Sequence, residues 1–365
     1  MLTPRCGASE DGAAPTAVPN DDPTMAQTNA LPIALLGALA DGRFHSGEDL
    51  GTALGVSRAA VWKQIKALER QLGLTVHSVP GRGYRLAAPL ELLDHEAIVA
   101  ELPAAARDKL AALEIHFSLD STNRHLMERA ADGAPGGTAC LAERQEAGRG
   151  RHGRRWISPF GTNLYLSVLW RSRLGPAQLG GLSLAVGAAV AEGLAALGVA
   201  DVGLKWPNDL VWADRKLGGV LLEVAGESMG PCHVVAGVGL NLAMNADAAA
   251  EIDQPWVDLR EVSGEVLSRN AIAAAVLAEL LPALDAFADA GLGPSLSAWR
   301  ERDALFGQPV RLTLGEQVVE GVARGVDEDG CLLIDGPTGL QRFSVGEASL
   351  RRREERAVES PGPAA

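Results

Sequence analysis

The spacing of apolar side chains changes twice along this 365-residue chain, and no single layer of helix or sheet accommodates all three spacings. From Leu31 to about Leu86 short helical repeats lead into two brief alternating runs. From about 89 to 304 helical and strand-like runs follow one another. From about Gly307 the segment "PVRLTLGEQVVEGVARGVDEDGCLLIDGPTGLQRFSVGEASLR" alternates, with turn signals at short intervals, as a small closed β module would. The expected class is α+β: an N-terminal winged helix-turn-helix at 29–88, a central mixed α/β domain at 89–305 and a C-terminal β module at 306–354. Residues 1–28 carry almost no large apolar side chains, so they cannot offset the entropy of folding and read as a disordered tail, as do 355–365. Met25, just ahead of the first helical pattern, is a second candidate start of translation.

The first unit is specified by its caps. In "LGVSRAAV" Gly55 stands where one helix ends and Ser57 where the next begins, between expected helices near Ser46 to Leu54 and Ser57 to Leu72. Along the second, Val61, Ile65, Leu68 and Leu72 face inward, which leaves Arg58, Trp62, Lys63, Gln64 and Lys66 exposed or flanking. "TVHSVPGRGYRL" then reads strand, Pro-Gly turn, strand, a wing with Arg82 at its tip. Ser57, Arg58, Lys63, Gln64, Lys66 and Arg82 are therefore candidate DNA contacts, because such groups reach phosphates and base edges. The chain as a whole carries a net charge of −13, which argues against a general nucleic-acid or membrane binder. Against that background six cations between Ser57 and Arg85, facing only Glu69, favour DNA over a merely solvated basic face.

With 47% apolar and 22% charged residues most of the chain is globular. The stretch "LPIALLGALA" is too short to span a bilayer and has no basic region before it, so no export signal is expected. Cys6, Cys140, Cys232 and Cys331 lie far apart, with no C-x-x-C and no histidine cluster nearby in the sequence. Neither zinc nor a disulfide framework is expected, no metal ligands can be named, and scattered thiols fit a reducing cytoplasm.

The run "EAGRGRHGRRW", Glu146 to Trp156, satisfies G-x-G-x-x-G but is followed by a β-rich run rather than a helix, so a dinucleotide fold is not expected. What remains is Arg149, Arg151, Arg154 and Arg155 on a glycine-rich backbone, either a flexible solvated loop or one that closes on an anion. "DSTN" (Asp120 to Asn123) and "DRKLGG" (Asp214 to Gly219), taken singly, read as turns. In "KWPND" Lys205 follows an apolar strand, where a lysine costs free energy unless an anion or acid pairs with it. There is no P-loop and no Ser/His/Asp or Cys/His arrangement, so the cations suit attack on a phosphate by positioning and charge neutralisation.

Read in order, "DSTN", "AERQEAGRGRHGRRWISPFGTNLYLS", "LKWPNDL", "DRKLGGVLLE" and "GVGLNL", behind "FHSGEDLGTALGVSRAAVWKQI" and "VPGRGYRL", resemble the bacterial biotin–protein ligases that double as biotin operon repressors. The resemblance runs from about residue 31 to 352. It implies a central domain of the biotin/lipoate ligase type and an SH3-like C-terminal barrel. It implies two steps, in which biotin and Mg-ATP give biotinyl-5′-AMP and a lysine of the biotin carboxyl carrier protein then takes the biotinyl group. By motif, Ser121, Thr122, Asn123 and Gln145 would line the biotin site. Arg149, Gly150 and Arg151 would lie on the closing loop, and Lys205 would meet the biotin carboxylate and α-phosphate. Trp256 would cover the adenine, and Asn208 and Asp209 would help position the metal or the attacking amine. Unused biotinyl-AMP would drive homodimerisation on operator DNA. Glu146, His152 and Trp62 depart from the pattern, which lowers the loop charge and alters the recognition helix. Two other readings are a small-molecule-sensing regulator without ligase activity and a lipoate-type acyl ligase.

Overall fold

The computed structural model describes residues 33–226, 230–344 and 348–352; both expected tails, Met25 and Cys6 lie outside the described residues. Helix α1 (33–39), α2 (Gly47–Leu54) and α3 (Arg58–Leu72) form the first unit with the antiparallel wing β1 (Val76–Val79) and β2 (Gly83–Leu86). The caps are those expected: Ser57 Oγ accepts from Ala60 N at 3.2 Å, and Gly55 closes α2 at φ 66°. Val61, Ile65 and Leu68 are buried against Leu35, Leu36, Leu39 and Leu50, and Leu72 packs at the edge of this core.

The central unit is built on seven strands, β3 (Ala112–His116), β4 (Thr138–Ala142), β5 (Leu164–Ser172), β6 (Gly203–Lys205), β7 (Asp209–Trp212), β8 (Arg215–Gly226) and β9 (Cys232–Leu240). Their order is β3-β4-β5-β9-β8-β7-β6; β3 and β4 are parallel and every other pair antiparallel. What the sequence suggests as one hairpin, "VGLKWPNDLVW" with "KLGGVLLEV", is a three-stranded meander, β6-β7-β8, with "WPN" and "AD" as its two turns.

Among the described residues eight α-helices accompany the sheet: α4 (His95–Glu101), α5 (Ala104–Arg107), α6 (Thr122–Ala131), α7 (Leu182–Ala196), α8 (Ala246–Ala249), α9 (Leu259–Ser263), α10 (Arg269–Ala290) and α11 (Gly293–Glu301). The period-2 alternation of strands sorts the residues. Ala139, Leu141, Leu166, Val168, Val234 and Ala236 go to the face covered by α7 and α10. Cys140, Leu169 and Val235 go to the other face, beneath α6. Helix α10 runs through Pro282 without a break, because both halves are held by packing on α7 and β5. It is long and apolar enough to cross a membrane, but its apolar side chains belong to the central core, and Glu279, Asp285 and Asp289 mark an exposed side.

The last unit is a five-stranded antiparallel sheet of β10 (Pro309–Leu314), β11 (Gln317–Val326), β12 (Leu332–Gly336), β13 (Gly339–Phe343) and β14 (Ala348–Arg352), in the order β13-β12-β11-β10-β14. Among the described residues there is no β13–β14 ladder to close it. Its apolar side, Val310, Leu312, Ala323 and Ile334, belongs to the same core as the central sheet, so the change of spacing near Gly307 marks no break in packing. The buried Trp206 indole N–H donates to Gly330 O at 3.1 Å across this junction.

The first unit keeps its own core and meets the central one through Phe160. Behind that contact Arg269 and Glu143, each about 5% exposed, pair at 2.6 Å. Arg269 also donates to Glu91 O and Asn163 O, and Glu143 accepts from Leu93 N, so the two charges are paired and the linker 91–94 is held to α10, with only Arg269 Nε of this group lacking a partner among the described residues.

Candidate active site and nucleic-acid interface

The α6 face of the sheet carries a polar floor. Ser121 caps α6, accepting from Arg124 N, and Asp120 before it pairs with Arg124. The first turn of α6 then points Thr122 and Asn123 at the sheet, where both are 4% exposed. Gln145 Oε1 accepts from Thr122 N at 2.9 Å and from Thr122 Oγ1 at 3.2 Å, while its Nε2 donates to Ser158 Oγ. Ser167 Oγ donates to Asn123 Oδ1 at 2.6 Å and lies 2.7 Å from Thr122 Oγ1; Asn123 Nδ2 donates to Leu221 O. The expected residues are brought together, joined by Ser167 and Ser158, which the sequence reading did not single out. Gly237 makes this possible, since a Cβ there would sit 2.1 Å from Asn123 Oδ1.

The arginine run folds as a compact turn. Arg149 bridges Arg155, Gly150 N donates to Arg154 O at 2.7 Å, and Trp156 N donates to Gly148 O. The glycines serve geometry: Gly148 lets Ser158 and Trp156 approach, and Gly153 takes the left-handed region at φ 70°, as the exposed His152 does at φ 56°. Gly150 itself is extended. Arg149, Arg154 and Arg155 are exposed, and Arg155 pairs with Glu251. Arg151 alone of the four is half-buried, and its Nη1 donates to Asn208 Oδ1 at 3.2 Å. Burial lowers its pKa, opposed by the nearby Asp209 carboxylate. Glu146 is exposed and accepts from Ser118.

Lys205 ends β6 directly opposite Asp209. Burial lowers the pKa of its half-buried ammonium; Asp209 counters this, and Lys216 and Arg351 add to it. Asn208 is pinned by reciprocal bonds with Val220, both 2.8 Å. Lys216, in the segment read as a plain turn, is the residue sequence reasoning missed. Its Nζ lies 2.7 Å from Asp209 Oδ1 and 5.6 Å from the Trp156 ring centre. The available signal was a lysine entering a strand buried on both sides, the argument already applied to Lys205. Trp256 reaches this group through its backbone bridge to Lys216.

Floor, loop and lysines thus form one connected surface, from Gln145 through Ser158 and Trp156 to Lys216, Asp209 and Lys205. The buried Trp156 Nε1–H has no partner among the described residues, and its ring lies against Gly239. A donor left this way beside a polar floor and two lysines suits an acceptor-rich, anionic ligand.

On the other unit Ser57, Arg58, Lys63 and Lys66 are exposed along α3, with Gln64 half-buried. Trp62 is 53% exposed among them. Lys66 pairs with Glu69 at 2.6 Å, and the Arg82 guanidinium stacks 4.2 Å from the Phe44 ring centre.

Comparison with known proteins agrees with this division. Residues 34–85 match an HTH domain, 116–241 the biotin/lipoate A/B protein ligase family and 305–351 the biotin protein ligase C-terminal domain. The bifunctional ligase/repressor BirA of Escherichia coli K12 is 44% identical over 326 residues, 89% of this chain and 99% of the relative. The biotin–[acetyl-CoA-carboxylase] ligase of Mycobacterium tuberculosis is 40% identical over 230 residues, 61% of this chain and 83% of the relative. A structure of the Aquifex aeolicus biotin protein ligase in complex with biotin and ATP superposes with a TM-score of 0.57 at 30% identity, over 67% of this chain and all of that one. By identity and coverage the chain belongs to the family of BirA bifunctional biotin ligase/repressors.

Proposed function

We propose that this chain joins biotin to AMP at the expense of ATP, transfers the biotinyl group to a lysine of the biotin carboxyl carrier protein of acetyl-CoA carboxylase, and represses biotin synthesis genes through its winged helix. The observation that carries the reading is the half-buried Lys205, facing Asp209 and set beside the Arg151–Asn208 pair, next to a pre-formed polar floor. The working division is 29–88 for DNA, 89–305 for chemistry and 306–354 to complete the core.

Ser121, Thr122, Asn123 and Gln145 would hold biotin, with their hydrogen bonds already oriented. In the first step a biotin carboxylate oxygen bonds to the α-phosphorus and pyrophosphate leaves. Charge grows on the phosphate oxygens as this happens, and the ammonium of Lys205 and the guanidinium of Arg151 are placed to stabilise it. Arg149, Gly150 and Arg151 would fold over the mixed anhydride and exclude water, with Trp256 against the adenine. In the second step the neutral acceptor amine bonds to the acyl carbon, AMP leaves with the electron pair of the broken C–O bond, and the nitrogen gives up a proton to solvent. Mg²⁺ would shield the phosphates. Asp209 and Asn208 offer the hard oxygen donors it takes, although Asp209 is already shared with Lys216. Biotinyl-AMP would then favour a homodimer that spans two operator half-sites. Buried free thiols at Cys140, Cys232 and Cys331 support work in the cytoplasm.

The test is incubation with biotin, Mg-ATP and a carrier domain, read by mass spectrometry of the carrier. One added biotinyl group that depends on ATP is expected. Binding of biotin without transfer would leave a sensor, and transfer of lipoate in preference to biotin would leave the lipoate-type reading.

A further inference from the structure

Cys140 stands alone in the sequence, but the fold surrounds it with imidazoles. The β3–β4 register sets Glu114 beside Cys140, alternation puts His116 on the same face, and α6 lays His125 across them. One ligand atom from each of His116, His125 and Cys140 lies within 4.8 Å of the other two. Glu114 Oε2 sits 2.6 Å from His125 Nε2 and 3.6 Å from His116 Nε2, while its other oxygen accepts from Arg129 Nε at 3.0 Å. The buried His116 Nε2 has no hydrogen bond among the described residues. The two rings meet edge to face, 4.6 Å between centres.

We propose that His116, His125 and Cys140, joined by the Glu114 carboxylate swinging in from beside His125, form a binding site for a borderline-soft divalent cation of the zinc type. Two neutral imidazoles, a thiolate and a carboxylate are the donor types such an ion takes in four-coordinate sites. The two anionic ligands cancel its charge, so the cation is held at low electrostatic cost beside the fully buried β4. Arg129 remains behind Glu114 as an outer partner that orients the carboxylate. Binding forms the metal–sulfur bond as the Cys140 thiol releases its proton to solvent, and the His125–Glu114 hydrogen bond opens to admit the ion. The cation would tie α6 to β3 and β4, and α6 is the helix whose first turn carries Thr122 and Asn123.

The experiment uses the full chain, stripped with a chelator, dialysed and titrated with Co²⁺. A thiolate-to-cobalt charge-transfer band with tetrahedral d–d absorption is expected, saturating at one equivalent and bleached by Zn²⁺. Cys140→Ser should remove the charge-transfer band. Because Cys140 is wholly buried, His116→Gln on the partly exposed rim is the second variant, with its fold checked by near-UV circular dichroism; it should weaken cobalt binding at least about tenfold. Zn²⁺ should also raise the thermal midpoint of the parent chain and not that of His116→Gln. Absence of the band at excess Co²⁺, or a band equally strong in both variants and so belonging to another cysteine, overturns the proposal.

Discussion

The floor of the candidate site and the arginine loop beside it are both built from polar residues, but their bonds go to different places. Thr122, Asn123, Gln145 and Ser167 bond to one another and to the sheet, are largely withdrawn from water, and fix one another's rotamers. Arg149, Arg154 and Arg155 are exposed, and only Arg151 turns inward. A floor satisfied in this way is ready before its ligand arrives. Guanidinium groups held in solvent gain most of their interaction energy when an anion arrives to be covered.

Removing the charge proposed to act at the reacting centre tests that contrast most severely. Lys205→Ala should lower the rate of biotinyl-AMP formation by about 10²–10³-fold, measured by pyrophosphate release, with biotin binding retained. A loss of biotin binding in parallel with the rate would mean that Lys205 belongs to the floor. The lowered pKa adds a pH test with a definite sign. The ammonium is lost as pH rises through a value below the ordinary lysine range, so adenylation should fall on the alkaline side earlier than for a solvated lysine. Asp209→Asn removes the group that opposes the shift and should move that limb to still lower pH. An unmoved limb would assign it to another group.

Gly237→Ala attacks the floor through its backing. The added methyl displaces Asn123 and should cost about 1–3 kcal/mol of stability, seen in denaturant melts, together with a weaker Kd for biotin. Unchanged biotin affinity would show that Asn123 is not required where it stands. Arg151→Ala should leave biotin binding nearly intact but release biotinyl-AMP about tenfold faster, detected as labelling of bystander lysines. Retention equal to the parent's would remove the loop from the closing role. The smallest effect belongs to the separate unit: Arg58→Ala should reduce the salt dependence of operator binding by about one unit of slope, with ligation unchanged.

Much of this was legible in the sequence because it is governed by local rules. Ser57 and Gly55 announce the ends of their helices wherever they stand, since a cap is a contact within one turn. Thr122, Asn123 and Gln145 of the polar floor were legible by motif, and the order of the motifs carried them, whereas Ser158 and Ser167 join only through the fold. Lys216 was missed because a lysine in a turn and a lysine that pairs with Asp209 beside Trp156 look alike until β7 and β8 are paired. Pro282 leaves open one long helix or a pair interrupted there, and packing on α7 and β5 outweighs the lost backbone bond to keep it one. Cys140 looks isolated because its imidazole neighbours arrive from a parallel strand and a crossing helix.

By itself the sequence determined the three periodicities and the caps of the winged helix, which depend on neighbours a few residues away, and the ordered motifs whose resemblance implies the groups that would meet biotin and phosphate. Only the tertiary structure decided that the C-terminal sheet shares the central core, that Gly237 must lack a side chain for Asn123 to reach its place, and that His116, His125 and Cys140 meet. These are contacts between residues far apart in the chain. Their existence depends on strand order and register, which a one-residue shift would reverse.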